Sequence, residues 1–168
     1  MFYRLEFNSV LSFIDSADYA ILKMWKNPSP LDGWQPLQLE YQSDAPRHHV
    51  MGLHSIMIWR AALVEALDPL LDTAYQALPV VIDDNKHFAL HITQSVDCLD
   101  PVHSRFKRFK NRNIGVEHIV LRADCVGDAH LFTIPDDGYS TIFASKQLKS
   151  QFDKCGWSGG SFAPVESI

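Results

Sequence analysis

The stretch "LPVVIDDNKHFALHI", residues 78–92, sets two apolar runs on either side of Asp83, Asp84, Asn85 and Lys86. Runs of that length, rich in β-branched residues and joined by Asx residues that tolerate turn geometry, predict two antiparallel strands closed by a hairpin. A hairpin cannot bury its own apolar face, so further strands or helices must cover it. "LFTIPDDGYSTIFA" predicts a second hairpin turning over Pro135–Gly138. "VEHIVLRAD" reads as another strand, and "SFAPV" as a closing one.

Two helices complete the inventory. In "SIMIWRAALVEALDPLL" the positions Trp59, Leu63, Ala66, Leu67 and Leu70 fall on one helical face. The pattern predicts a helix over about 56–68, with Ser55 as its N-cap and Pro69 ending or bending it. Ser145 is placed to cap a second helix over 146–154, with Leu148 and Phe152 one turn apart and Gly156 just past its end. Hairpins outnumber strand–helix–strand units, so the predicted class is α+β: an antiparallel sheet built from hairpins, with two main helices.

The N-terminal third is less regular. "MFYRLEFNS" alternates Phe2, Arg4 and Glu6 with Tyr3, Leu5 and Phe7, which predicts a strand. "KNPSPLDGWQP" carries three prolines and a glycine and reads as a linker, followed by a short strand at "LQLEY". Residues 1–50 are therefore expected to be strands and loops that pack on a main α+β domain over 51–168, the two forming one unit. There is no internal repeat and no low-complexity tract.

Composition narrows the function classes. Of 168 residues, 46% are hydrophobic and 21% charged, which is enough apolar material for a real core. The net charge of −5 argues against non-specific binding to nucleic acid or anionic membranes. No run approaches the roughly 18 apolar residues of a membrane span, and the apolar runs of "MFYRLEFNSVLSFIDS" are too broken to be expected to act as a secretory h-region. Cys98, Cys125 and Cys155 are odd in number and lack any CxxC spacing, which disfavours a disulfide framework or zinc ribbon and points to the cytoplasm.

The densest concentration of reactive residue types is "SVDCLDPVHSRF", residues 95–106. Asp97, Asp100 and His103 could hold a hard cation or zinc. The alternative is structural: Asp100-Pro101 has the chemistry of a helix start, and Asp97 could accept amides of the preceding turn. No HxxxH or HExxH completes a metal set, and Ser104 lacks a GxSxG elbow. Cys155 sits at a helix C-terminus, where no dipole favours a thiolate. The eight histidines are scattered. His48 and His49, if they lie on a strand, point to opposite faces. His87 and His91 share a face but stand far apart.

"RFKRFKNR", residues 105–112, holds five cations and no anion, leaving the remainder of the chain at −10. Cations interleaved with aromatics can bind RNA. Phe106 and Phe109 would also anchor a short helix or loop on the core while the cations stay solvated, and this is the preferred reading.

The order of these segments, with "HSIMIWRAALVEALDPLL", "VDCLDPVHS", "TIFAS" and "GWSGGSFAPV", resembles the eleventh of the numbered immunity protein families of bacterial polymorphic toxin systems. The resemblance covers about residues 50–166. Its V-D-x-L-D-x-x-x-S segment is matched by Val96, Asp97, Leu99, Asp100 and Ser104, and its C-terminal stretch by Gly156, Gly159 and Phe162. The run "RFKRFKNRN" departs from the shorter, more acidic segment usual there. The resemblance implies a small cytoplasmic protein that binds and neutralises a cognate toxin, with no catalytic residues, no cofactor and no membrane partner. It implies structural roles for Asp97, Asp100 and Ser104. Trp34, in its Gly/Pro-rich loop, and Lys107, Arg108 and Lys110 are candidate partner contacts, Trp34 being an equally good core plug. The alternatives are an RNA-binding module using 105–112 and a metal-dependent enzyme using Asp97, Asp100 and His103.

Overall fold

A computed structural model describes residues 1–168, with every side chain except that of Tyr19. The elements in order are strands β1 (Phe2–Phe7) and β2 (Leu11–Phe13), a 3-10 turn (Ser16–Ala20), helix α1 (Ile21–Met24), and strands β3 (Leu37–Tyr41), β4 (Val50–Leu53) and β5 (Ile56–Arg60). Helix α2 (Ala61–Leu71) and strands β6 (Tyr75–Ile82), β7 (Asn85–Ile92), β8 (Arg105–Phe109), β9 (Arg112–His118) and β10 (Val120–Leu121) follow. The chain ends with α3 (Ala123–Val126), β11 (Leu131–Phe132), a 3-10 turn (Pro135–Asp137), β12 (Ile142–Ser145), α4 (Lys146–Lys154) and β13 (Gly160–Ser167). The class is α+β.

The strands form a six-stranded sheet in the order β2-β3-β6-β7-β5-β4, a five-stranded sheet in the order β10-β13-β1-β12-β11, and a separate ribbon of β8 and β9. The sheets are mixed: β3 runs parallel to β6, and β10 parallel to β13. β6 and β7 pair along their full lengths, closing on Ile82 opposite Asn85. The hairpin loop is therefore only Asp83 and Asp84, both with positive φ (49° and 60°). Positive φ at both central residues is the mark of a type I′ turn, whose twist matches that of the strands it joins.

The sheets divide the interior into three cores. One lies between them, joining Leu5, Met57, Trp59, Leu90 and Ala144 to the buried sides of α2 (Leu63, Val64, Leu67, Leu71) and α4 (Leu148, Phe152). The second covers the opposite face of the six-stranded sheet, where Ile56, Ile58, Val80 and Ile82 meet Trp25 and Trp34. The third covers the opposite face of the five-stranded sheet around Phe2, Leu99, Phe132 and Phe143. β1 serves two of them, with Phe2 on one face and Leu5 on the other. It sits between β12 and β13, so an N-terminal strand is the middle of the five-stranded sheet.

Two corrections concern the first predicted helix. Residues 56–60 form β5, paired with β4 and β7, and the helix begins only at Ala61. Ser55 is a turn residue and caps nothing; Arg60 occupies the N-cap position without a side-chain cap bond. The cause is burial on both faces. Met57 and Trp59 face one core and Ile56 and Ile58 another, so the four residues before Arg60 are all apolar and the period-two signal is erased. Pro69 does not stop the helix either, which runs on to Leu71. In α4, by contrast, the Ser145 hydroxyl accepts from Leu148 N at 3.2 Å, and Gly156 has the positive φ (65°) of a residue just beyond a helix end.

Candidate partner-binding surface

The 97–104 segment folds as the root of the ribbon. Asp100 Oδ1 accepts from Val102 N (2.9 Å), His103 N (2.6 Å) and His103 Nδ1 (2.9 Å). These bonds, the His103 amide foremost, hold the carboxyl below the usual carboxylate range. One turn over 101–103 follows, and then β8 rather than the helix that Asp100-Pro101 suggested. Ser104 ties this turn to the strand beyond the ribbon. Its hydroxyl donates to Val120 O (3.2 Å) and accepts from Val120 N (3.0 Å), while Asp100 N donates to the same Val120 O (2.8 Å). Asp100 and Ser104 are each 7% exposed, so their polar atoms face the molecule's own backbone.

Asp97 is exposed and contributes its carbonyl, which accepts from Arg122 Nη2 at 3.2 Å. Its carboxylate makes no hydrogen bond among the described residues. Nor, among these, is any group of three or more His, Cys, Asp or Glu side chains placed to hold a metal ion. The three cysteines are free, and burial pushes the Cys98 thiol up to about 11, far from thiolate chemistry at neutral pH.

Above this root stands the ribbon. β8 and β9 pair antiparallel from Arg105 opposite His118 to Phe109 opposite Arg112, with two register shifts. Lys110 and Asn111, with φ of 44° and 64°, make the tip. The expected helix or loop anchored by both phenylalanines is therefore corrected: Phe106 packs with Val116 against the third core, whereas Phe109 is 60% exposed. Ile114 is also largely exposed. Among the described residues none of the five cations at 105–112 forms an ion pair or side-chain hydrogen bond. Lys110 Nζ lies only over the Phe109 ring, 5.5 Å from its centroid. His118 Nε2 meets Glu166 Oε2 at 3.2 Å, bracing the base of the ribbon against β13.

The other predicted positions lie elsewhere. Trp34 is half-buried on the second core, and its indole N–H donates to Pro79 O at 2.9 Å. Phe162 packs edge-on against Phe152 at 5.2 Å between ring centroids. Gly159 (φ 93°) lies so near β4 that a Cβ would stand 2.0 Å from Val50 O.

Sequence reasoning missed one polar cluster. His48 and His49 both bring Nδ1 to within 3.2 Å of Ser158 Oγ, and Ser158 N donates to His49 Nδ1. They do not point to opposite faces as a strand would set them, because β4 begins only at Val50. The Ser158 amide makes His49 Nδ1 an acceptor, and burial with Arg60 and His48 nearby lowers its pKa. No sequence signal joins residues this far apart in the chain.

A cleft of about 550 Å³ opens between the two sheets, lined among others by Leu5, Phe7, Trp25, His91 and Tyr139. His91 is already engaged there: its Nε2 meets Ser29 O at 2.9 Å and Trp25 packs edge-on against its ring.

The root is built from polar groups that satisfy their own backbone, and it carries a ribbon whose cations form no ion pair among the described residues. Residues 62–167, well over half of the chain, match the model of the immunity protein family (Imm11), and the chain belongs to that family. The match contains the root and the whole ribbon; β1 lies outside it. No curated protein is significantly similar to the chain.

Proposed function

We propose that this chain is a bacterial immunity protein that binds a cognate toxin in the cytoplasm and neutralises it by protein–protein contact, with no catalysis or cofactor of its own. The family membership carries this reading. The uses found for the reactive residue types support it: Asp100, Ser104 and His91 bond to their own backbone surroundings. No helix among the described residues is long and apolar enough to cross a membrane. Tight inhibitory pairs bury about 1,600 Å² around a few aromatic or cationic anchors. Lys107, Arg108 and Lys110 offer such groups exposed, and Trp34 offers a half-buried ring held by Pro79. Residues 1–50 and 51–168 would act as one compact unit.

The test is co-expression in bacteria with a toxin encoded beside this chain's gene. The chain should restore growth and form a stable complex with the toxin. Growth arrest that persists at full expression of a folded chain, with no complex in solution, would overturn the assignment.

A further inference from the structure

We infer that the β8–β9 ribbon is the inhibitory element, and that its partner is an acidic cleft on the toxin protein into which the tip at Phe109–Asn111 inserts. This rests on the toxin-binding reading above and adds the place and the chemistry of contact.

The first observation is charge. Five cations occupy eight consecutive residues and, among the described residues, none pairs with an anion of this chain, although the rest of the molecule carries −10. Cations left unpaired on an acidic protein have their complement elsewhere, and opposite charge across an interface sets both encounter rate and register.

The second is shape. A two-stranded ribbon exposed along nearly all of β8 and most of β9 projects a narrow edge rather than a flat face. Such an edge fits a concave surface. Its exposed Phe109 adds an apolar ring at the tip, the kind of anchor that dominates binding energy once desolvated.

The third is the root. The paired Ser104–Val120 bonds and the His118–Glu166 contact fix the base of the ribbon, which reduces the ordering cost of binding. An RNA strand is the less favoured occupant. Phe106 is turned into the core, so β8 presents Phe109 alone as an open ring, where stacking of successive bases uses several.

The experiment uses the full chain and the catalytically inactivated toxin encoded beside it. The triple variant K107E/R108E/K110E should keep the wild-type melting temperature and lose about 100-fold or more in affinity for the toxin. Phe109→Ser, tested separately, should lose about tenfold. Wild-type affinity should fall with added salt, and the triple variant's should not. Wild-type chain that fails to bind the toxin refutes the immunity reading itself. Wild-type chain that binds, with the triple variant binding equally, refutes the ribbon alone. A single-stranded oligouridine bound by the wild type and lost in the triple variant, with toxin affinity unchanged, assigns the ribbon to RNA and likewise overturns the inference.

Discussion

Ser104 and Val120, sixteen positions apart in sequence, are joined by two hydrogen bonds through a single hydroxyl: Oγ–H to the Val120 carbonyl and the Val120 amide back to Oγ. The serine side chain thus does for Val120 what a neighbouring strand would. It closes the neck of the ribbon immediately below its first pair, Arg105 with His118. Ser104→Ala leaves the Val120 amide buried without this acceptor, a loss of about 1–3 kcal/mol. Urea unfolding should show the lower midpoint with an unchanged slope, and amide exchange in β8 and β9 should quicken. A variant with the wild-type midpoint and exchange pattern would show that the neck is held some other way.

Asp100 acts one step earlier, gathering the amides of Val102 and His103 on one oxygen. Its carboxyl is held below the ordinary 3.8, so the folded state favours the charged form. That stability is fully present above pH 3.8 and is lost as pH falls through the lower folded value. Asp100→Asn should lower the melting temperature at pH 7 and flatten the acid limb of the stability curve below pH 4. Toxin binding measured well below the melting temperature should be unchanged.

The histidines set a second window with the same sign. Burial lowers the pKa values of His87 and His91, and burial with Arg60 and His48 lowers that of His49. In the unfolded chain these groups take up protons near 6.5, while the folded state resists. Stability is therefore greatest above 6.5 and declines as pH falls towards the lowered values, by at most about 1.4 kcal/mol per pH unit for each fully shielded group. Urea midpoints should drop between pH 7 and pH 5. The double variant His87→Gln and His91→Gln should shallow that slope, and a wild-type midpoint flat across the range would refute this account.

What could be read in the sequence follows from where each element is exposed. The β6–β7 hairpin and α4 were legible because turn residues and a capping serine bound them on either side. The strand at 56–60 was not, because a run buried on both faces carries no period. The structural use of Asp100 could be read from residue types, whereas that of Ser104 came only with the family resemblance. The partner, Val120, could not be read, since the loop joining them is itself the ribbon. β8 was obscured because its two apolar residues, Phe106 and Phe109, stand three apart, a helical rather than a strand spacing, and only the end of β9, within "VEHIVLRAD", read as strand. His48, His49 and Ser158 meet only through tertiary contact.

The tight turn at Asp83-Asp84 holds two non-glycine residues at positive φ. Asp83 pairs with Arg47 at 3.0 Å, whereas no hydrogen bond or ion pair of the Asp84 side chain is found among the described residues. Asp84→Gly relieves the backbone without losing a contact and should stabilise the protein by about 0.5–1 kcal/mol. Thermal unfolding of the single variant checks it, and a lowered melting temperature would count against the turn geometry.

Gly156 and Gly159 stand three residues apart, both at positive φ, yet for different reasons. A Cβ on Gly156 would meet nothing within 4 Å, so Gly156→Ala should cost only the backbone strain of a left-handed residue, about 1 kcal/mol. A Cβ on Gly159 would stand 2.0 Å from Val50 O and 2.4 Å from His48 Cβ. Neither can yield cheaply, because Val50 N and His49 N both donate to Ser158 O and fix the two segments together. Gly159→Ala should therefore cost at least about 3 kcal/mol, combining strain with displacement of the start of β4 from residues 158–159. Chemical denaturation of the two variants side by side tests the distinction. Equal losses would mean that only the backbone angle matters at both sites, and that the close approach of β4 to residue 159 does not persist in solution.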